Sequence, residues 1–326
     1  MNFRIGMGPM SPDIIDILCD YSHDKQRPLM LIASRNQIDA ESGYVMTTPQ
    51  LAEQIAKKNR SHLLVCRDHC GPYFLDVEKN LSVRDAIEAT KKTIAYDIEQ
   101  GFDLIHIDTS RVEDTYGVAE ELLNFCLSLN PNIKFEFGTE ENVGVAAGEI
   151  KYASDVAFAK HFPNMEFVVA QTGSLCFEDR QAGTFNKEVV TRLVALANEN
   201  GVKLKEHNAD YLTASQIQLR RDTGVHALNI APQLGVEQTK LLYELARQYG
   251  YEKEWNSFSN LVVRGNKWKK WTTSIFPYQQ TIVAGHYHFN SDEYRTIIDK
   301  LNNHIVWNSK LSSAIYYILD TYTENI

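Results

Sequence analysis

The sequence predicts an α/β chain folded as a (β/α)8 TIM barrel with a C-terminal helical extension. Three observations lead there. Eight short β-rich runs alternate with longer helical stretches. Those runs are apolar on both faces, as strands are when helices cover a parallel sheet. Polar residues then gather at the C-terminal ends of the runs, the rim where barrels carry their chemistry.

The runs come in order: Phe3 to Met7, Leu29 to Ala33, Ser61 to Cys66, Leu104 to Asp108, Lys134 to Phe137, Glu166 to Ala170, Val202 to Glu206 and Ala227 to Ala231. Between them, Thr48 and Pro49 read as an N-cap followed by Pro at the first helical position. Ser82 with Asp85 resembles a capping box. Val189, Leu193, Leu196 and Ala197 make an apolar stripe that Gly201 ends. Val236, Leu241, Leu242, Leu245 and Ala246 make another, closing near Gly250. The barrel therefore occupies residues 1–250, and residues 251–326 form the extension packed on it. The extension holds an aromatic and His-rich stretch from Trp255 to His288, then helices at Asp292–Asn302 and Ser309–Tyr322.

Composition narrows the function. The chain has 326 residues, 44% hydrophobic and 23% charged, the balance of a soluble globular protein. Its net charge of -9 argues against a nucleic-acid binder, which needs a basic face. The one basic cluster, Lys267-Trp268-Lys269-Lys270-Trp271, reads as a solvated turn. No apolar run is long enough to span a bilayer, and the N-terminus does not read as a secretory signal. The five cysteines are scattered, which points to a reduced, cytoplasmic protein. Cys66 and Cys70 flank the Asp68-His69 pair but have no identified base to activate them.

The rim residues set the candidate site. They are Arg35, Asn36 and Gln37 after the second run; Asp68 and His69 after the third; Asp108 and Ser110 after the fourth. Glu136, Glu140 and Glu141 follow on the fifth, Gln171 on the sixth, His207, Asn208 and Asp210 on the seventh, and Asn229 on the eighth. Any one of them could be a cap or a loop contact. Together they make the composition of a metal-assisted or acid–base site. His69 and His207 are the leading metal ligands, with a third from Glu136, Glu140, His106 or Asp108. His106 ranks last, because it shares a strand face with Asp108 and could be a hydrogen-bonded core residue. His286 and His288 alternate like residues of a surface strand.

Several motifs in one order resemble the tagatose-bisphosphate aldolase accessory-subunit family. They are Leu31 to Asp39, with Gly43-Tyr44 and Thr47-Thr48-Pro49; Asp68-His69-Cys70-Gly71-Pro72; His106 to Ser110; Glu206 to Tyr211; and Asn229 to Leu234. That family is similar to the class II fructose- and tagatose-bisphosphate aldolases. The resemblance implies a ketose or ketose phosphate as substrate and a divalent metal, zinc first. It implies Asp68 as acid/base, His69 and His207 as metal ligands, Glu140 or Glu141 as a catalytic carboxylate and Asn229 as a substrate contact. Arg35, Asn36, Gln37, Asp108, Ser110, Gln171, Asn208 and Asp210 fall in with substrate binding.

Two departures stand out. Catalytic class II enzymes carry a further metal histidine after strand six, where this chain has Gln171. They also carry a Gly-rich phosphate loop after the strand-seven histidine, where this chain has Asn208-Ala209-Asp210. The expected activities are aldol cleavage or C4 epimerisation, and the alternative is a non-catalytic subunit that stabilises an aldolase. Homo-oligomers or an aldolase partner are the expected assemblies.

Overall fold

In the computed structural model, residues 3–58, 60–138, 144–146 and 148–324 are described. Eight strands close into a parallel barrel: β1 Arg4–Met7, β2 Leu29–Ser34, β3 Leu63–Cys70, β4 Leu104–Ile107, β5 Lys134–Phe137, β6 Met165–Val169, β7 Lys203–Glu206 and β8 Ala227–Ile230. Each strand pairs with its neighbours in sequence, and β1 pairs with β8 to close the ring. All eight apolar runs are therefore strands.

Helices cover the barrel wall, and local chemistry starts and stops them. Thr47, one residue earlier than expected, caps helix Thr48–Ala56 and forms a capping box with Gln50. Ser82 caps helix Val83–Glu99 by accepting from the Asp85 amide. Inside the barrel, Met30, Ile32, Cys66, Leu104, Phe167 and Ala227 fill the middle with apolar volume. Between β3 and helix Val83–Glu99, Arg67 and Asp97 form a fully buried bidentate pair at 2.6 and 2.7 Å. Breaking such a pair costs about 3–5 kcal/mol, so it fixes the helix against the strand that carries the site.

The regular structure of the described extension is helical: Glu252–Gly265, Pro277–Ala284, Asp292–Leu301 and Trp307–Thr323, with 3-10 turns at Lys267–Lys270 and Gly285–His288. His286 and His288 thus lie on a tight helical turn rather than a surface strand. Pro277 opens a helix at its first turn, and the chain stays helical through His288. His286 is buried, not a surface residue. The last helix reaches back to the barrel rim, where Tyr322 donates to the Ala209 carbonyl at 2.7 Å and accepts from the Leu212 amide at 3.1 Å. It thereby holds the loop that follows His207. No described helix is long and apolar enough to cross a membrane.

Candidate active site

β3 runs four residues past its apolar stretch and takes in Asp68 and His69. Its register with β4 shifts between Arg67 and Cys70, and His69 sits at φ 47°, in the left-handed region. Such a conformation costs roughly 1–2 kcal/mol for a residue with a Cβ and is concentrated at functional sites. Gly71 follows because nothing larger fits: a Cβ there would lie 1.6 Å from the Asp108 carbonyl oxygen.

This kink separates Asp68 from His69. Asp68 turns inward and joins His106, Glu136 and His207, whose ligand atoms all lie within 4.8 Å of one another. His69 turns aside, and its Nδ1 lies 2.7 Å from Asp108 Oδ2 while its Nε2 lies 3.7 Å from Asp68 Oδ2. The cluster thus takes His106 in the place where the sequence reading put His69. The Asp108 carboxylate also accepts from the Ser110 amide at 3.0 Å.

Hydrogen-bond arithmetic fixes the His106 tautomer. The Gly138 carbonyl, 3.0 Å from Nε2, can only accept, so Nε2 carries the proton. The His69 main-chain N–H, 3.2 Å from Nδ1, can only donate, so Nδ1 presents a lone pair. That lone pair faces Asp68 Oδ1 at 3.0 Å. Burial works to raise the Asp68 pKa, but the nearby His69 and His207 outweigh it and hold the carboxyl well below its ordinary range. A carboxylate and an imidazole lone pair at that distance fit a shared cation.

The rest of the cluster agrees. His207 Nε2 lies 2.6 Å from Glu136 Oε1 and 3.1 Å from Asn229 Nδ2. Burial alone would raise Glu136; Lys205, His106 and His207 instead bring it down to about 2. Lys205 Nζ, fully buried, holds Glu136 Oε2 at 2.5 Å. Three buried carboxylates, Asp68, Asp108 and Glu136, therefore meet one ammonium here. Two imidazole nitrogens and two carboxylate oxygens with surplus negative charge are compatible with a bound metal ion.

Above the cluster opens a cavity of about 720 Å³, within the range of small-molecule sites. Asp68, His69, Asp108, Ser110, His207, Asn208, Asp210 and Asn229 line it, as do Arg35, Asn36 and Gln37. Several of these are already engaged. Arg35 is buried, bound to Glu78 at 2.6 Å and to the Gly71 carbonyl at 2.8 Å. Asn36 donates to the Phe74 carbonyl, and Gln37 accepts from Ser34. Asp210 accepts from the Ala231 and Gln233 amides and so caps helix Pro232–Gln248. Gln171 is not part of the cavity wall. Glu140 and Glu141 lie outside the described residues. Burial pushes the Cys70 thiol up to about 12 and the Cys66 thiol higher still, so neither is a thiolate nucleophile.

Two contributions escaped the sequence reading. Lys205 shares the inward face of β7 with His207, which the alternation Lys203, Lys205, His207 signalled only weakly. The extension supplies Lys267, Lys270, Trp271, His286 and Tyr287 to the cavity wall. The basic cluster is thus not a plain solvated turn.

Part of the chain is similar in sequence to known aldolase subunits. Residues 7–122 match the sequence model of a family described as D-tagatose-1,6-bisphosphate aldolase subunit GatZ/KbaZ-like. The resemblance read from the motifs is to this GatZ/KbaZ-like family. D-tagatose-1,6-bisphosphate aldolase subunit GatZ from Escherichia coli O1:K1 is 24% identical over 258 residues, 72% of this chain and 55% of that protein. The same protein from E. coli O45:K1 gives the same figures. The chain spans about half the length of the curated relatives it matches.

Among solved structures, a probable tagatose 6 phosphate kinase from Sinorhizobium meliloti superposes with a TM-score of 0.84 at 17% identity, over 98% of this chain and 99% of that one. Fructose-bisphosphate aldolase from Campylobacter jejuni gives 0.53 at 15% identity over 76% of each. At these identities the structural likeness speaks for the barrel fold.

Proposed function

We propose that this barrel is a metal-dependent class II aldolase-like enzyme that breaks and re-forms a carbon–carbon bond next to the carbonyl of a ketose or ketose phosphate. The observation that carries the reading is the pairing of two units at one cavity. One is the four-residue donor cluster of Asp68, His106, Glu136 and His207. The other is the Asp108–His69 pair beside it.

Asp68, His106, Glu136 and His207 would hold the divalent ion, zinc first. When bound, it supplies Lewis acidity that stabilises negative charge developing on the ketose oxygens. Lys205 holds Glu136 in its ionised form from the opposite side. Asp108 accepts from His69 Nδ1–H, which orients the ring, and Nε2, 3.7 Å from Asp68 Oδ2, would take a proton from the C4 hydroxyl as C3–C4 breaks. This exchanges the expected roles: Asp68 joins the donor set and His69 becomes the base. Asn229 stands beside His207, where it contacts substrate oxygens, and Asn208 and Ser110 border the same space. Glu140 and Glu141 stay candidates for a second proton carrier. Release of the two fragments makes an aldolase; rotation of the aldehyde and re-closure makes a 4-epimerase.

A second reading is a stabilising subunit of an aldolase. It is favoured by Gln171 at the end of β6, where catalytic relatives carry a histidine, and by the description of the relatives as aldolase subunits. The five free, buried cysteines accord with a cytoplasmic setting. The test is an NMR screen of ketoses and ketose phosphates with the isolated protein. Triose products or C4 inversion support the enzyme. No turnover alone, with raised activity or stability of a co-expressed class II aldolase, supports the subunit.

A further inference from the structure

We propose that His286, on the extension wall of the cavity, is a specificity-determining residue that hydrogen-bonds the terminal hydroxyl of the ketose at the end away from the donor cluster. The proposal rests on the reading of this cavity as a ketose site and names the end group that the site selects.

Two glycines set the placement. The 3-10 turn Gly285–His288 packs closely on helix Pro232–Gln248. A Cβ on Gly285 would stand 2.6 Å from Thr239 Oγ1, and one on Gly235 would stand 2.7 Å from His286 Cβ. Bare backbone at both positions lets the imidazole lie against the helix. Its Cβ–Cγ–Nδ1 edge faces Gly235, where the same added Cβ would be 3.3 Å from Nδ1. His286 also lines the cavity. The opposite edge, which carries Nε2, is therefore the one turned to a ligand. No member of the donor cluster comes from the extension, so this wall meets a different part of a bound sugar.

Aromatic rings surround the imidazole. The ring centroids of Tyr287, Tyr44 and Trp271 lie 4.1, 6.0 and 6.3 Å from that of His286. All three line the same cavity. The collar is braced: Trp271 Nε1 donates to the Tyr287 hydroxyl at 3.2 Å. Asn290 Nδ2 donates to the Tyr44 and Val45 carbonyls at 2.9 and 2.7 Å, which ties the extension to the loop after β2. Rigid apolar faces around one polar group suit a ligand that is carbon on its faces and hydroxyl at its tip.

What marks His286 is its unmet bonding. The residue is 1% exposed, and its Nδ1 has no hydrogen-bond partner among the described residues. Buried polar groups are ordinarily paired. The His106 tautomer is fixed from both sides of its ring, but nothing at Nδ1 fixes that of His286. Either nitrogen can hold the single proton, so Nε2 can donate or accept, and a hydroxyl does both as well. Burial brings the His286 pKa down to about 3, so the ring meets its ligand as a neutral group. A site built to bond a hydroxyl rejects the analogue that lacks it, because the buried partner is then left unpaired.

The test is calorimetric titration of the full chain and of the His286→Phe and His286→Gln variants. Phenylalanine keeps a ring inside the collar and removes both nitrogens; glutamine restores a polar tip. The probes are a ketohexose, its 6-deoxy form and its 1-deoxy form. The parent should bind the ketohexose at least about tenfold more tightly than the 6-deoxy form. His286→Phe should bind these two alike, and His286→Gln should keep part of the preference. The ratio of ketohexose to 1-deoxy affinity should be the same in all three proteins. Nitrogen NMR of the parent alone adds a readout that needs no variant to fold: the ketohexose should shift the His286 Nε2 signal and the 6-deoxy form should not. A parent that binds no ketohexose or shows no preference overturns the proposal. So does a His286→Phe protein that keeps the preference, one that weakens all three sugars equally, or an Nε2 signal that both sugars shift alike. The 6-hydroxyl preference without turnover refutes the aldol chemistry and leaves the His286 contact standing; turnover without the preference does the reverse.

Discussion

Replacing Lys205 with Met should expose how much the buried charges under the site depend on one another. Methionine keeps nearly the same length and apolar contact with Phe167, whose ring Lys205 now covers at 5.4 Å. What it removes is the ammonium at 2.5 Å from Glu136 Oε2, in a pair whose side chains are each 1% exposed. Leaving one member of a buried pair without its partner costs about 3–5 kcal/mol. Typical domains have only about 5–15 kcal/mol in total, so the protein should remain folded but with a clearly lower urea midpoint at pH 7.

The pH dependence follows from Glu136. Its folded-state pKa is depressed to about 2, so it contributes stability above its unfolded pKa, and that contribution is lost as pH falls through the folded value. The gap between parent and Lys205→Met should therefore be widest at neutral pH and narrow from about pH 4 downward. Adding Glu136→Gln to Lys205→Met should recover most of the loss, because no buried charge is then left alone. Urea unfolding of the parent, both single variants and the double variant makes the cycle. A single-variant loss below about 1 kcal/mol, or a double variant no more stable than Lys205→Met, would refute the buried-pair account.

Three further outcomes are expected. Asp108→Asn should lower kcat by about 10²- to 10⁴-fold through loss of His69 orientation, with the unfolding midpoint little changed; parallel loss of both would show collapse instead. Asp210→Ala removes two amide bonds from the cap of helix Pro232–Gln248 and should cost about 2 kcal/mol in urea unfolding. His286 is lowered to about 3 by burial, with Lys270 adding to the effect, so its folded form stays neutral while the unfolded chain binds a proton below about pH 6.5. Stability should thus fall by about 1.4 kcal/mol per pH unit below that point, and His286→Phe, compared at pH 7.5 and 5.5, should show a shallower slope.

The strands were legible because helix-covered parallel strands write themselves as short apolar runs on both faces, and every run from Phe3 to Ala231 became one. The rim was legible too, since strand ends of a barrel converge whatever their spacing in sequence. What spacing could not carry is direction. Asp68 and His69 are adjacent, yet a shifted register and a left-handed His69 send one inward and the other toward Asp108. His106 looked like a core residue and is indeed buried, but beneath the rim, where the core and the donor cluster coincide. The His-x-His spacing at His286 imitates a strand, and only the packing of helix Pro277–Ala284 against the barrel's last helix reveals that this segment walls the cavity.

The most direct test of the central claim is metal content measured together with turnover in three proteins: the parent, His207→Ala and His69→Gln, each dialysed after zinc loading. The account predicts about one divalent ion per chain in the parent, loss of both metal and activity in His207→Ala, and retained metal with lost activity in His69→Gln. A parent that holds no ion, a His207→Ala protein that keeps it, or a His69→Gln protein that loses it would contradict the assignment of His207 to the donor cluster and His69 to proton transfer.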